Sequence, residues 1–143
     1  MRQRSKEGFT LIEVMAVLGI VTFSLVLSIQ LVKNRYDEIN EGIFWKKFDQ
    51  SWMHLVTNVP KSNQIGTTTF YNDKVIFTIP KSEKKTLYYP AGLHLFQYKI
   101  IKISTSGRVR GDTVVFTSDV TNLKYIISFQ LAWGDYRIKK ETN

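Results

Sequence analysis

The chain has 143 residues, with 20 Lys or Arg against 12 Asp or Glu, for a formal charge of +8. It contains no cysteine, which excludes disulfides and thiolate metal sites and leaves the hydrophobic core alone to hold a domain together. Nine Phe, seven Tyr and three Trp supply that core, and the length suits one ordinary domain behind an N-terminal segment.

Residues 1–8 form a short basic leader, Arg2, Arg4 and Lys6 against Glu7, ending at Gly8. Without it the formal charge falls to +6, a bias that suits plain solubility and equally an anionic partner or membrane surface. An apolar run begins at Phe9 and is interrupted once, by Glu13. Residues 14–32 carry no formal charge. As a helix they span roughly 28 Å at ~1.5 Å per residue, close to the ~30 Å hydrocarbon core. Thr22, Ser24, Ser28 and Gln30 dilute the run. Lys33 and Arg35 follow it, so cations flank both ends. The denser cluster in the leader places residues 1–8 in the cytoplasm and the bulk of the chain outside. A cleaved secretory signal needs a small-x-small site after its apolar core, and residues 24–30 offer a poor one. A simple signal anchor explains the length but not Glu13, since a charge at membrane depth costs roughly 2.5–3.5 kcal/mol on insertion scales.

The stretch Gly8-Phe9-Thr10-Leu11-Ile12-Glu13-Val14 resembles the N-terminal signature of type IV pilins and pseudopilins. The shared features are a short basic leader, glycine at its last position, an aromatic first mature residue, a glutamate at mature position five, and an apolar helix behind it. The resemblance implies that a prepilin peptidase cuts between Gly8 and Phe9 and methylates the new amine of Phe9, and that Glu13 serves assembly. It also implies the partners: that peptidase, other pilins of the same system, and membrane lipid. Where many members carry a proline, this chain has Gln30, so no kink is expected. The residues support the same chemistry. Glycine lets a protease approach the backbone closely. Glu13 lies about one helical turn beyond Phe9, on nearly the same face. A carboxylate unpaired in lipid is costly, and an ammonium partner offsets much of that cost. The amine of an axially shifted neighbour fits this role; the alternative is that Glu13 snorkels to the interface.

Past residue 32 the pattern turns amphipathic. Tyr36, Ile39, Ile43, Phe44, Phe48, Trp52, Leu55, Val56 and Val59 recur at three- and four-residue steps. Asp37, Glu38, Glu41, Lys46, Lys47, Asp49 and Gln50 stand between them as the polar face. Pro60 ends the pattern. One nearly continuous helix over residues 9–58 is predicted: a membrane-spanning half over 9–32 and an amphipathic half over 33–59 with one face covered. From residue 60 to 143 the period is two. Strands are predicted over 67–71 and 74–79, as a hairpin about Asn72-Asp73, and over 86–89, 94–104, 113–118 and 124–131. A last hairpin turns at Gly134-Asp135 between Ala132-Trp133 and residues 136–138. The fold class is α+β, a long helix covered by one antiparallel sheet of six strands.

That is the architecture the pilin resemblance implies. The chain length, the lack of cysteine and the ending Phe129-Gln130-Leu131-Ala132-Trp133-Gly134-Asp135-Tyr136-Arg137-Ile138 are similar to the ComGD-type minor pseudopilins of Gram-positive competence systems. This implies a subunit that supports DNA uptake, at the cell surface in or with a filament. A type II secretion-like pseudopilin and a membrane-anchored DNA receptor are the alternatives.

No catalytic constellation is present. His54 and His94 have no second ligand at metal spacing. There is no glycine-rich phosphate loop and no marked nucleophile, and no cofactor is implied. For DNA, the candidate contacts are Lys99, Lys102, Arg108, Arg110, Lys124, Arg137, Lys139 and Lys140, on or beside strands with Tyr and Phe interleaved. Cations near aromatics suit single strands, and cations alone suffice for a duplex backbone. Scattered surface charge accounts for the same residues.

Overall fold

The apolar run and the amphipathic stretch behind it both fall within one helix, α1 (Leu11–Ser62). The computed structural model describes residues 10–82, 84–130 and 134–142, and of residues 29–34 the backbone alone. The chain divides after Arg35 into two compact units.

In the first unit the apolar side chains of α1 are all exposed, from Leu11 to Leu27. Two of the hydroxyls that dilute the run are satisfied inside the helix. Thr22 Oγ1 donates to the Leu18 carbonyl at 2.6 Å and lies 3.0 Å from that of Gly19, and Ser28 Oγ donates to Ser24 O at 2.8 Å. Such back-bonding hides a polar group where water is absent.

In the second unit, one face of α1 is fully covered. Phe44, Phe48, Trp52, Leu55 and Val59 are buried at three- and four-residue steps. Tyr36 and Ile39, expected on the same stripe, are exposed instead, because the cover begins only at Glu41, and Ile43 is exposed beside the buried Phe44. Pro60 does not end the helix, which continues to Ser62. The residue before a proline disfavours helical geometry, but Val59 is fully buried, and a Cβ on Gly66 would collide with it, so packing holds it in place. The helix is closed instead by Ser62 Oγ, which donates to Val59 O at 2.8 Å, and by Asn63 at φ +52°.

Eight strands follow: β1 (Gly66–Phe70), β2 (Lys74–Thr78), β3 (Lys85–Tyr88), β4 (Leu93–Leu95), β5 (Lys99–Ile103), β6 (Asp112–Ser118), β7 (Leu123–Phe129) and β8 (Tyr136–Thr142). The α+β class holds, with all pairings antiparallel. The single six-stranded sheet does not. There are two four-stranded sheets, ordered β3-β2-β1-β5 and β4-β6-β7-β8. The stretch predicted as one strand over 94–104 is split, with β4 in the second sheet and β5 in the first. Leu93, Leu95, Ile101 and Ile103 keep the same parity across the split, so alternation alone cannot reveal it. The crossing residues Phe96, Gln97 and Tyr98 are all exposed, and Phe96 N–H still donates to Val115 O at 2.9 Å. The final hairpin pairs β7 with β8; Ala132 and Trp133 lie outside the described residues.

The core is aromatic and sits where the helix meets both sheets. Phe48 packs on Phe70 and Phe77 of the first sheet and on Tyr136 of the second. Phe70 reaches Phe116 and Phe129 across the sheets. Trp52 packs 4.6 Å from Phe129, ring to ring, and its Nε1–H donates to Gly134 O at 2.6 Å. Gly134 has φ +70°, and a Cβ there would lie 2.6 Å from Val56. This turn therefore needs glycine both for its backbone and for the helix beneath it.

Candidate functional site

The N-terminal constellation is visible in part. Gly8 and Phe9, the residues of the predicted cut and methylation, lie outside the described residues. Glu13 sits in the first turn of α1. Its Oε2 is 3.4 Å from both the backbone N and the Oγ1 of Thr10. The Thr10 carbonyl accepts the first helical bonds, from Glu13 N–H at 3.0 Å and Val14 N–H at 3.3 Å. Thr10 is thus the N-cap, and Glu13 reaches back to it from the third helical position. The carboxylate also stands at the positive end of the helix dipole. The spacing Thr10-x-x-Glu13 carries this capping signal in the sequence, beside the assembly reading. Glu13 is exposed, and among the described residues only its Oε2 is engaged. The apolar segment Leu11–Ser28, of mean hydropathy 2.3, is long and apolar enough to cross a membrane.

The cations read as DNA contacts fall into separate places. Lys124, Arg137 and Lys139 share the outer face of the second sheet, since they alternate with the buried Tyr125 and Ile127 and with the half-buried Ile138, and their register partners are Glu141, Ser128 and Ile126. Lys139 is paired there with Glu141 at 2.7 Å. Lys140 has the other parity and lies over the Tyr125 ring at 5.6 Å. Lys102 and Arg110 line one shallow concavity at the outer edge of β5. Lys99 is neutralised by Asp112 at 2.8 Å. Burial pushes the Asp112 carboxyl up, but the Lys99 hydrogen bond, the Thr113 N–H and the nearby cations outweigh it, so its pKa lies below the usual range. Arg108 sits in the turn closed by Ser104 N–H to Arg108 O. The structure therefore does not gather these eight residues into one surface.

One charged residue assigned to the polar face belongs to the core. Glu41 is buried, and its Oε2 accepts a 2.6 Å bond from Ser118 Oγ. Its Oε1 has no partner among the described residues, and neither has Nε1 of Trp45 beside it. Burial, and then the nearby Glu41 carboxylate, push the Tyr125 hydroxyl upward. Tyr136 and Tyr89 are also raised, first by burial and then by Asp49 and Asp73 respectively. Among the described residues there is no cluster of three metal-ligating side chains.

The prokaryotic N-terminal methylation motif matches residues 3–29. That motif is the type IV pilin signal, and the match supports placing the chain among the type IV pilins and pseudopilins. Such a motif implies processing by prepilin peptidase and assembly with other pilins, suggests a structural subunit, and fits a membrane-anchored precursor. No curated protein and no solved structure matches the chain.

Proposed function

We propose that the protein is a minor pilin or pseudopilin of a competence pilus that supports DNA uptake. The methylation motif over residues 3–29 is the observation that carries the pilin part of this reading. Residues 1–8 are the leader, cut between Gly8 and Phe9, with Phe9 then N-methylated. Residues 9–32 anchor the subunit in the membrane, 33–59 form the amphipathic half-helix, and 60–143 form the β-rich globular region outside the cell. Glu13 pairs with the amine of an adjacent subunit, a role its exposure supports. The competence part rests on the similarity of the length and C-terminal tail to ComGD-type subunits. For DNA, Lys124, Arg137 and Lys139 share one face of the second sheet and Lys102 and Arg110 one concavity, whereas Lys99 is already neutralised by Asp112.

The test is mass spectrometry of the mature N-terminus. The reading expects a chain that begins at methylated Phe9, and full-length precursor for Gly8→Val. A mature chain that begins elsewhere, or normal processing of Gly8→Val, overturns the pilin assignment. Transformation frequency in a deletion strain tests the competence assignment separately, and unchanged frequency overturns it.

A further inference from the structure

Two cavities lie in sequence along one line between α1 and the edge strand β3. The larger, about 550 Å³, has Tyr36, Ile43 and Lys47 of α1 on one wall and residues 86–88 on the other. The smaller, about 310 Å³, has Ser51 and His54 of α1 on one wall and Lys84 and Lys85 on the other. As α1 advances the strand recedes, so the two form a single track. From residue 36 to 55 the helix runs roughly 28 Å. An extended chain of about eight residues covers that distance.

Among the described residues β3 is the last strand of its sheet and pairs only with β2. Tyr89 N–H donates to Asp73 O at 3.0 Å, so Tyr89 and Asp73 form a bonded pair. By register Leu87–Val75 and Lys85–Phe77 share that parity. The N–H and C=O groups of Thr86 and Tyr88 therefore point away from β2, on the open edge of the strand, and both residues line the larger cavity. Their side chains are exposed, while the floor is apolar, with Phe44, Leu55 and Phe77 buried in it. The charge is one-sided: among the described lining residues Lys47, Lys84 and Lys85 face a single acid, Asp37.

We infer that this track is a strand-addition site for an extended segment of another protein, with alternating apolar and acidic side chains. Backbone bonds to Thr86 and Tyr88 supply the affinity, and apolar side chains enter the two cavities. The acidic side chains meet the three lysines. A second copy of this chain is the poorer occupant, because it carries a formal charge of +8 to a cationic track. The inference goes beyond the pilin reading and needs neither the cut at Gly8 nor methylation of Phe9.

The test uses the full unprocessed chain in detergent micelles and a fluorescein-labelled octapeptide of alternating Glu and Val, read by fluorescence anisotropy. Saturable binding is expected. Two changes each weaken it by about tenfold or more: N-methylation of alternate peptide amides, and Thr86→Pro, which removes one outward N–H. Replacing Glu by Lys in the peptide, or Lys84→Glu with Lys85→Glu in the protein, abolishes it. Absence of saturable binding overturns the inference, as does equal binding by the N-methylated peptide, the Lys-Val peptide or Thr86→Pro. Should Thr86→Pro lower the thermal midpoint, hydrogen exchange of the wild-type chain decides: peptide must slow exchange at the Thr86 and Tyr88 amides, and unchanged exchange overturns the proposal.

Discussion

As far as Arg35, the described side chains of helix α1 cover nothing, whereas from Glu41 onward every third or fourth side chain is buried under aromatic rings. The same secondary structure thus serves two opposite solvents. In the first unit, the Thr22 and Ser28 hydroxyls are satisfied within the helix and the described apolar side chains are left outward, which is how a segment suited to lipid is built. In the second, the polar groups that matter reach across the fold: Trp52 to Gly134, Glu41 to Ser118, Tyr136 to Asp49. Among the described residues, Glu13 is the charged group of the apolar run that does not fit a plain anchor, and Glu41 the charged group that does not fit a plain core. A change at either position should affect its own unit and leave the other intact.

Glu13→Val is expected to have the largest effect. Crosslinking to partner pilins should be lost, while cleavage after Gly8 and the thermal melt of the β-rich unit stay as in wild type. Membrane insertion should improve, since the charge at depth is removed. Unchanged crosslinking would remove Glu13 from assembly and leave it only its capping bond to Thr10.

Trp52→Ala is the mirror experiment. It deletes a fully buried indole, its contact with Phe129 and its bond to Gly134. A loss of about 3–5 kcal/mol is expected in urea unfolding of the globular unit, the usual cost of a large buried aromatic. Processing at the N-terminus should not change. If both change together, the two units are not independent.

How legible this was in the sequence differs between the units. Composition alone marks the first, because an uncharged run needs no partner to be recognised. The core stripe from Phe44 to Val59 was equally plain, since helical period encodes it. Three features were not. Glu41 reads as solvent-facing because its partner, Ser118, is 77 residues away and serine carries no signal of its own. The split between β4 and β5 leaves parity intact. Pro60 is tolerated because Val59 is packed under Gly66, a contact no local rule contains. Of the candidate site, the Thr10–Glu13 cap was readable from spacing, whereas the dispersal of the eight cations depends on strand register and on which sheet each strand joins.

Glu41 tests whether a buried carboxylate helps the core or burdens it. Ser118→Ala leaves Glu41 buried without its 2.6 Å donor. A loss of about 1–3 kcal/mol is expected, the cost of an orphaned buried polar group. Glu41→Leu removes the group instead and should cost less than Ser118→Ala, since an apolar side chain of similar size needs no donor. The reverse order, read from the same urea curves, would mean that Glu41 is held by more than Ser118.

The smallest expected effect is in pH, and it again separates the units. Tyr89, Tyr125 and Tyr136 all have hydroxyls raised above the ordinary value of 10.0, each chiefly by burial. A group whose folded pKa is raised gives stability that is fully present below the unfolded value and is lost as pH climbs past it. Asp112 and Glu141 are shifted the other way, below 3.8 and 4.5, so their contribution is present above those values and fades as pH falls. Both lie near the surface, and their limb should be shallow. The melt of the globular unit should therefore decline above about pH 10. Tyr136→Phe keeps the ring against Phe48 and Trp52 but removes the hydroxyl bonded to Asp49 at 2.8 Å, so it should reduce the alkaline decline. An alkaline limb of unchanged slope in that variant would show that this tyrosine does not couple to unfolding. The first unit, whose described side chains include no tyrosine, should respond to none of this.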